Sequence, residues 1–556
     1  MTSKFRWEEI NVWIAPLMMG ILIGLAVSIS FYIFYGIWKI FEEALVKIPK
    51  LSFSFIFLSI ILSSLPLRMF LKRRPKDSFD IILEYYHTSP ASLSFKESLI
   101  YSLSSFLSFA FGAPVGPEGG AAMLGSGIAK KIKDMFKVNI GSNTILLTGL
   151  AAGFTALFKA PISGFLLALE LPYKGDLEKD PFLPSALASA TAYLTSFVLK
   201  TPSIIFVQNI QIPGVSMTLI AISLGFGVLS GIFSIAFISI YKGFTYLAQR
   251  LMKLASFPML ILIGGLLVGF LGYIIQPSIG PGFLLLNNTI YMKLSVLAAI
   301  LILIARLVSV SSVINFGASG GLLLPSIEIG ALFGYITGYL IYPKYLVVFV
   351  LLGMATMAAG VNKLVLVPVT FMLELIGGSI AIPLLIASIT SYFISYKFTI
   401  YEYQPSNKLD KGTFALERFY TKALKTSPEV LEISVREIMN KEPVYIEHTK
   451  TVSDAFNLLR QKTIKTLPVV NEEKAFLGYI SIEYLASLPE RYGSLPLAEL
   501  EIKKGLIISE KSKLKDAIAL MLRSDEDHIF VINEKWELAG VITEVDIIRY
   551  LLRVIS

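Results

Sequence analysis

The chain has 556 residues, 54% of them apolar and 16% charged, with a mean hydropathy of +0.69 and a formal net charge of +9. A soluble globular chain carries about 25% charged residues, so the composition excludes a single water-soluble globule and indicates a polytopic membrane protein. With no cysteine, disulfides, a thiolate nucleophile and a cysteine metal site are excluded, and with His87, His448 and His528 as the 3 histidines a histidine metal cage is not expected.

The basic residues sit in short loops between apolar runs, so the positive balance does not point to nucleic acid. Charge is unevenly spread. The stretch up to residue 400 is poor in charge, whereas residues from about 432 on have the make-up of a soluble domain, which implies at least two domains. Met1 to Ile10 is charged, and the apolar run after it is too long, and lacks the small-residue cleavage site, for a cleavable signal. Apolar segments recur at 11–37, 51–70, 96–111, 144–158, 161–172, 184–199, 217–240, 257–275, 294–314, 345–359, 364–376 and 380–396. Several reach the ~20 residues a spanning helix needs and others are too short to cross alone. Short runs broken by Gly and Pro predict half-spanning, re-entrant and tilted helices of the kind transporters use. The loops with Arg68, Lys72, Arg73, Arg74 and Lys76, with Lys130, Lys131, Lys133 and Lys137, and with Lys242, Arg250 and Lys253 are basic, whereas 201–216 and 276–292 carry no Lys or Arg. The positive-inside rule then places the basic loops, the N-terminus and the C-terminal domain in the cytoplasm of a multi-pass cell-membrane protein.

Between the segments at 96–111 and 144–158 lies Gly112-Ala113-Pro114-Val115-Gly116-Pro117-Glu118-Gly119-Gly120, with one carboxylate among small or rigid residues. Unwound backbone at membrane depth exposes N–H groups and survives only where it is buried in protein or lines a cavity. A helix starting near Gly119 aims its positive end back at this spot. The chemistry offered is a small anion site with an ionisable acid, Glu118, beside it; the alternative is a helix-capping glutamate at an interface.

An internal repeat follows. Leu147-Thr148-Gly149, Phe158-Lys159 and Leu169-Glu170-Leu171 recur 204 residues on as Leu351-Leu352-Gly353, Asn362-Lys363 and Leu373-Glu374-Leu375, and Gly119-Gly120 finds Gly320-Gly321 in the second half. Matching charges at membrane depth argue against chance, and two halves with interrupted helices in corresponding places point to a site at the repeat interface. Arg306, Lys159, Lys363 and Glu328 are the other charges at that depth, expected to be paired or to face water at the rim.

Residues 403–432 read as a linker with a mixed helix. A soluble repeat comes next. Pro443 to His448, a helix Val452 to Gln461, Thr466 to Val470 and Leu477 to Ser481 form a first β-α-β-β-α unit, closed by a helix Ile482 to Leu488. Gly505 to Ser509, a helix Leu514 to Arg523, His528 to Ile532 and Ala539 to Thr543 form a second, closed by Glu544 to Val554.

Four membrane motifs in order resemble the CLC family of chloride channels and chloride/proton exchangers. Gly116-Pro117-Glu118-Gly119-Gly120 resembles its Gly-Arg-Glu-Gly-Pro, whose glutamate is the external gate. Lys159-Ala160-Pro161-Ile162-Ser163-Gly164 through Glu170 is similar to its Ala-Pro-Leu-Ala-Gly…Glu helix. Gly320-Gly321-Leu322-Leu323-Leu324-Pro325 is similar to its Gly-Gly-Ile-Phe-Ala-Pro loop, and Ile400-Tyr401 aligns with the Tyr that closes the pore from inside. The resemblance implies that main-chain N–H groups around Gly119 and at Gly321, Leu322 and Leu323, with the Tyr401 hydroxyl, hold the anion. For the Gly pair the alternative is tight helix packing, and for Tyr401 an aromatic at the membrane interface. Ser78 stands where the family has Gly-Ser-Gly-Ile-Pro, but here the string is Asp77-Ser78-Phe79-Asp80-Ile81; Ser78 either donates to the anion or caps the following helix. In the exchangers a second glutamate takes protons from the cytoplasm one place after Glu170, where this chain has Leu171. Either Glu170 substitutes, or protons take another path, or chloride is conducted passively. The structural alternative for Glu170 is an acid satisfied by Lys159 or a helix end.

The soluble repeat resembles a pair of CBS domains. Gly540-Val541-Ile542-Thr543-Glu544-Val545-Asp546 is similar to the nucleotide signature, in which the Asp holds ribose hydroxyls and the Thr meets phosphate. The first unit has Tyr484 in place of the Asp. An adenine nucleotide (ATP, ADP or AMP) at Thr543 and Asp546 is one reading, and a simple helix cap the other.

The expected fold class is an all-α polytopic membrane domain of two inverted-topology repeats (1–402), then the linker (403–432) and an α/β CBS pair (433–490 and 495–556). The expected function is that of a gated chloride channel with cytoplasmic CBS regulation, working as a homodimer in the lipid bilayer with one pore per subunit. The alternative is a chloride/proton antiporter of the same family. A CBS-regulated Mg²⁺ transporter is a distant alternative, since hard divalent ions demand clustered oxygen ligands and the membrane acids are few and scattered. In a further reading, the CBS pair is a sensor for which the membrane part is an anchor. No nucleophile–base pair suggests an enzyme.

Overall fold

The computed structural model describes residues 2–88, 93–204, 214–254, 256–408, 411–462, 464–488, 492–500, 502–524 and 527–555. The chain divides into two compact units, Met1–Lys408 and Leu409–Ser556.

The first unit is all α. Its first half runs α1 (Thr2–Lys47), α2 (Leu51–Leu71), α3 (Ser78–Thr88), α4 (Phe95–Ala110), α5 (Glu118–Phe136), α6 (Ser142–Phe158), α7 (Pro161–Glu170) and α8 (Phe182–Val198). The second runs α9 (Met217–Leu254), α10 (Phe257–Ile274), α11 (Phe283–Ile290), α12 (Val296–Asn315), α13 (Leu323–Ile341), α14 (Leu346–Asn362), α15 (Leu366–Ile376) and α16 (Ala381–Ser395). Among the described residues 7 helices are long and apolar enough to cross a membrane, while α6, α7, α8, α15 and α16 are shorter apolar helices. The repeat read from the sequence is structural, since α6 and α14 begin and end at corresponding residues, as do α5 and α13 to within one.

The two halves are inverted with respect to each other, and α7 and α15 give the reason. Glu170, at the C-terminal end of α7, accepts from the N–H groups of Val365, Leu366 and Val367 at the start of α15. Glu374, near the C-terminal end of α15, accepts from the N–H groups of Ile162 and Ser163 at the start of α7. Each helix places its tail acid on the other's head, so the two run antiparallel, and each carboxylate meets the positive end of a helix dipole. The N–H groups at these helix starts would otherwise be left open.

Close packing within each half depends on glycine. A methyl group on Gly125 of α5 would overlap the Gly149 carbonyl of α6, and one on Gly330 of α13 would overlap that of Gly353 of α14. Small residues of this kind let membrane helices approach where apolar burial offers little gain. Buried serines join neighbouring helices by donating to carbonyls, Ser52 to Gly269 at 2.8 Å, Ser59 to Ser108 at 2.7 Å and Ser126 to Leu146 at 2.9 Å.

The charges at membrane depth find partners. Arg306 of α12 forms a fully buried ion pair with Glu328 of α13 and also donates to the Ile279 carbonyl at 3.1 Å. Lys363 is buried, with its ammonium on the carbonyls of Gly360 and Ser395 and the Ser395 hydroxyl. Lys159 donates to the Ser203 hydroxyl at 3.4 Å. Lys159 and Lys363 also end α6 and α14 in the left-handed region, at φ 56° and 59°.

In the second unit, β1 (Ile446–Glu447) pairs parallel with β2 (Thr466–Val470), which pairs antiparallel with β3 (Phe476–Ser481). β4 (Ile507–Ser509), β5 (His528–Ile532) and β6 (Leu538–Thr543) repeat the pattern. The registers coincide, with Thr466 opposite Ser481 in one sheet and His528 opposite Thr543 in the other, and a bulge at the matching step. Around them lie α17 (Lys411–Thr426), α18 (Val452–Lys462), α19 (Ile482–Ser487), α20 (Leu514–Ser524) and α21 (Glu544–Ile555). The stretch expected as a linker divides. Residues through Lys408 belong to the first unit, whereas Leu416 and Ala423 of α17 are buried in one core with Leu514, Ile518, Ile547 and Leu551.

Candidate anion site

Three unwound segments meet at the starts of α3, α5 and α13. Gly116 and Gly321 exchange backbone hydrogen bonds at 2.9 and 3.0 Å, and the Ser78 N–H donates to the Gly320 carbonyl at 3.1 Å. The glycines permit this approach: a methyl on Gly119 would crowd the Ser78 hydroxyl, and one on Gly321 the Glu118 carboxylate. Non-helical backbone at this depth is thus satisfied by other non-helical backbone.

Glu118 opens α5 and is fully buried. Its Oε1 accepts from the Leu324 N–H, in the first turn of α13, at 3.0 Å, and its Oε2 has no hydrogen-bond partner. The carboxylate therefore lies across both halves, on a helix start that favours any anion. Of the other expected donors, the Gly321 N–H is taken by Gly116 and the Leu322 N–H by the carboxylate of Asp77, at 2.9 Å. Leu323 follows as the first residue of α13, and Gly119 packs against Ser78. The Ser78 hydroxyl is buried without a partner. The cap of α3 is made by Asp77, whose Oδ1 accepts from the N–H groups of Phe79 at 2.8 Å and Asp80 at 3.0 Å. Tyr401 is buried and donates from its hydroxyl to Asn362 Oδ1, at the end of α14, at 2.7 Å. The next N–H groups, of Glu402 and Tyr403, donate to Asp80 Oδ1 at 2.7 and 3.3 Å, which ties the Tyr401 segment to α3.

Glu170 is not brought to this place by any of its bonds. Both its oxygens are engaged by the start of α15, so of the structural alternatives it is the helix end, not Lys159, that satisfies it. Asp77, Asp80 and Asn362 are the residues sequence reasoning missed. The departure of Asp77-Ser78-Phe79-Asp80 from the Gly-Ser-Gly pattern was the available signal, because an Asp one place before a helical run is a strong N-cap. Among the described residues no group of three His, Asp or Glu is placed to hold a metal ion.

The arrangement offers an anion a buried hydroxyl, helix starts from both halves and a carboxylate that already occupies one N–H donor. Ionised, that carboxylate competes with a free anion for the donor. Once protonated, it loses its attraction to the N–H and can leave.

The second unit has a cavity of about 790 Å³ lined by both repeats, with Lys465, Thr466 and Ser481 from the first and Asp527, Thr543 and Arg549 from the second. Thr543 and Asp546 form a reciprocal cap on α21, the Thr543 hydroxyl donating to Asp546 at 2.7 Å and accepting the Asp546 N–H at 3.3 Å. Beside them the His528 ring, 2.5 Å from Asp527, holds the Asp527 carboxyl below the usual carboxylate range.

Residues 60–396 match the family described as voltage gated chloride channel, and residues 435–490 and 498–553 each match the CBS domain. The H(+)/Cl(-) exchange transporter ClcA of Klebsiella pneumoniae is 28% identical over 284 residues, covering 48% of this chain and 58% of that one. A CLC-type fluoride/proton antiporter has the same fold, with TM-score 0.61 and 21% identity over 73% of this chain and 100% of that one. A eukaryotic CLC transporter aligns with TM-score 0.63 and 17% identity over 97% of this chain and 98% of that one. With its family match spanning both inverted halves and its two CBS repeats behind them, the chain belongs to the CLC family of voltage gated chloride channels.

Proposed function

We propose that this protein moves chloride across the cell membrane as a gated conductor, with Glu118 as the gate and Ser78, Tyr401 and the start of α13 lining the path. The observation that carries this reading is the Glu118 carboxylate on the Leu324 N–H, with its second oxygen unpartnered in a buried setting. Such a group holds an anion's place while charged and vacates it when neutral. Passive conduction is favoured over exchange because Leu171 cannot titrate and Glu170 is engaged by three N–H groups of α15. Chloride/proton exchange is the second reading, supported by the presence of Glu118 and by the activity named for the ClcA relative.

Liposomes holding the purified protein under a chloride gradient separate the two. Downhill chloride efflux without proton movement is expected; uphill proton movement driven by chloride would sink the conductor reading. Glu118→Gln should raise chloride efflux at neutral pH by about tenfold or more, the worth of one hydrogen bond to a charged group.

The molecule works in the bilayer as a homodimer with one path per subunit, its basic loops, N-terminus and CBS pair on the cytoplasmic side. Light scattering on the detergent-solubilised protein tests the first point and protease access to sealed vesicles the second. The second-unit cavity is the regulatory site, taking an adenine nucleotide with phosphates toward Lys465 and Arg549 and the start of α21. Calorimetry of the full chain with ATP, ADP and AMP tests this, and no heat from any of the three would leave Thr543 and Asp546 as a helix cap alone.

A further inference from the structure

The carboxylate of Asp77 does more than α3 requires. Capping this helix takes one oxygen, and Oδ1 supplies it by accepting from Phe79 and Asp80; a serine or asparagine would serve as well. Oδ2 reaches across the repeat boundary to the Leu322 N–H at 2.9 Å. Two residues on, the Leu324 N–H is held by Glu118 at 3.0 Å. One helix start, that of α13, therefore carries a carboxylate from each of two other helix starts. At the same meeting of helix starts the Ser78 hydroxyl, against Gly119, and Glu118 Oε2 are both buried and without partners, so polar groups there remain unsatisfied.

We propose that Asp77 is a second carboxylate of the anion path, which holds the Leu322 N–H while ionised and yields it to the permeant anion once protonated. The proposal rests on the chloride-transport reading above. The step is a protonation and no more: a proton from water adds to Oδ2, the neutral acid keeps capping α3 through Oδ1, and the Leu322 N–H turns to chloride. Ionised, Asp77 keeps a negative charge beside the path; neutral, it leaves a donor there. The groups facing Asp77 are Asp80 on its own helix, Glu118 from α5, Tyr241 from α9 and Tyr401 after α16. Lys76, the residue before it, is ion-paired with Glu402 at 3.2 Å. Burial and the two neighbouring acids, Asp80 and Glu118, make the surroundings of Asp77 hostile to a fixed negative charge.

The test uses the purified full chain carrying Glu118→Gln, so that the gate no longer titrates. Chloride binding is measured by calorimetry at about pH 7 and about pH 4.5, on either side of ordinary carboxylate titration under burial. Affinity is expected to rise about tenfold on acidification, the value of one N–H to an anion, and adding Asp77→Asn or Asp77→Ser should give the higher affinity at both pH values. Asn offers one oxygen, enough for the cap and not for Leu322, and Ser caps without reaching Leu322, so either variant keeps α3. Equal affinity at the two pH values in Glu118→Gln, or a pH effect that survives both Asp77 substitutions, would overturn the proposal while leaving chloride transport standing. Absence of chloride binding and of chloride flux in every form would take down the transport reading, and this one with it.

Discussion

Three N–H groups, from Val365, Leu366 and Val367, engage both oxygens of Glu170, whereas Glu118 has one oxygen on Leu324 and one without a partner. Both acids are buried, and what separates them is the number of bonds each must break to move. Glu170→Gln presents an amide to one of those donors, so stability should fall by about 1–3 kcal/mol, while the pH profile of chloride flux keeps its wild-type shape. Melting in detergent beside the flux assay checks both halves of that statement, and a flattened profile would return Glu170 to the proton path. In the second unit, Lys513 and Lys515 lie 2.5 and 2.6 Å from Glu432 and hold its carboxyl down at about 2. A depressed carboxyl stabilises above the unfolded value of about 4.3, and that stability is lost as pH falls toward 2. Glu432→Gln should remove this part of the acid sensitivity, seen as hydrogen exchange in α20 of the full chain, and high salt should mimic the substitution because the pair is exposed.

Helix pairing explains which charges the membrane unit tolerates. Arg306 and Glu328 join α12 to α13 with neither side chain exposed, directly behind the helix start that receives Glu118. Arg306→Met alone strands the Glu328 charge and should cost about 3–5 kcal/mol, whereas Arg306→Met with Glu328→Leu should recover most of it. Melting midpoints of the two variants decide this, and equal losses would mean that the pair is held for position and not for charge balance. Between α13 and α14 the contact is steric. Gly330→Ala pushes a methyl into the Gly353 carbonyl, and about 1–3 kcal/mol of overpacking should appear as a lowered melting midpoint.

Over the whole molecule, each of the two units is built from a repeat, and the two repeats work differently. The membrane halves are inverted, so their interface sets corresponding segments against each other, with the start of α5 against that of α13 and α7 antiparallel to α15. The CBS repeats share one register, with Thr466–Ser481 and His528–Thr543 in matching places, and their cavity is lined from both. Because Met1–Lys408 is compact by itself, deletion of 409–556 should leave chloride flux in liposomes and abolish any response to nucleotide. Loss of flux together with loss of a folded, monodisperse membrane unit would show that the second unit is needed for folding.

Much of this was legible in the chain. Apolar periodicity located twelve of the membrane helices, and the spacing from Leu147 to Leu171 against Leu351 to Leu375 showed the repeat. The Gly-Pro-Glu-Gly stretch marked an acid beside interrupted backbone, because glycine, proline and a lone charge inside an apolar run have few other uses there. Of the four helices outside those twelve, α3, α5 and α13 were expected only as helices following Ser78, Gly119 and the Gly320-Gly321 loop, and α11 escaped notice because Asn287 and Asn288 break the apolar signal that finds membrane helices. The decisive contacts escaped for a different reason. The bonds from Asp77 to Leu322, Glu170 to Leu366 and Asp80 to Glu402 join residues 245, 196 and 322 positions apart. Local pattern carries no trace of such pairs. By itself the sequence determined the elements, the repeats and the placement of an acid at the interruption, because these follow from composition and spacing along the chain. Only the tertiary structure decided which carboxylate has both oxygens held and which has one, because that depends on which helix start the fold brings to each of them.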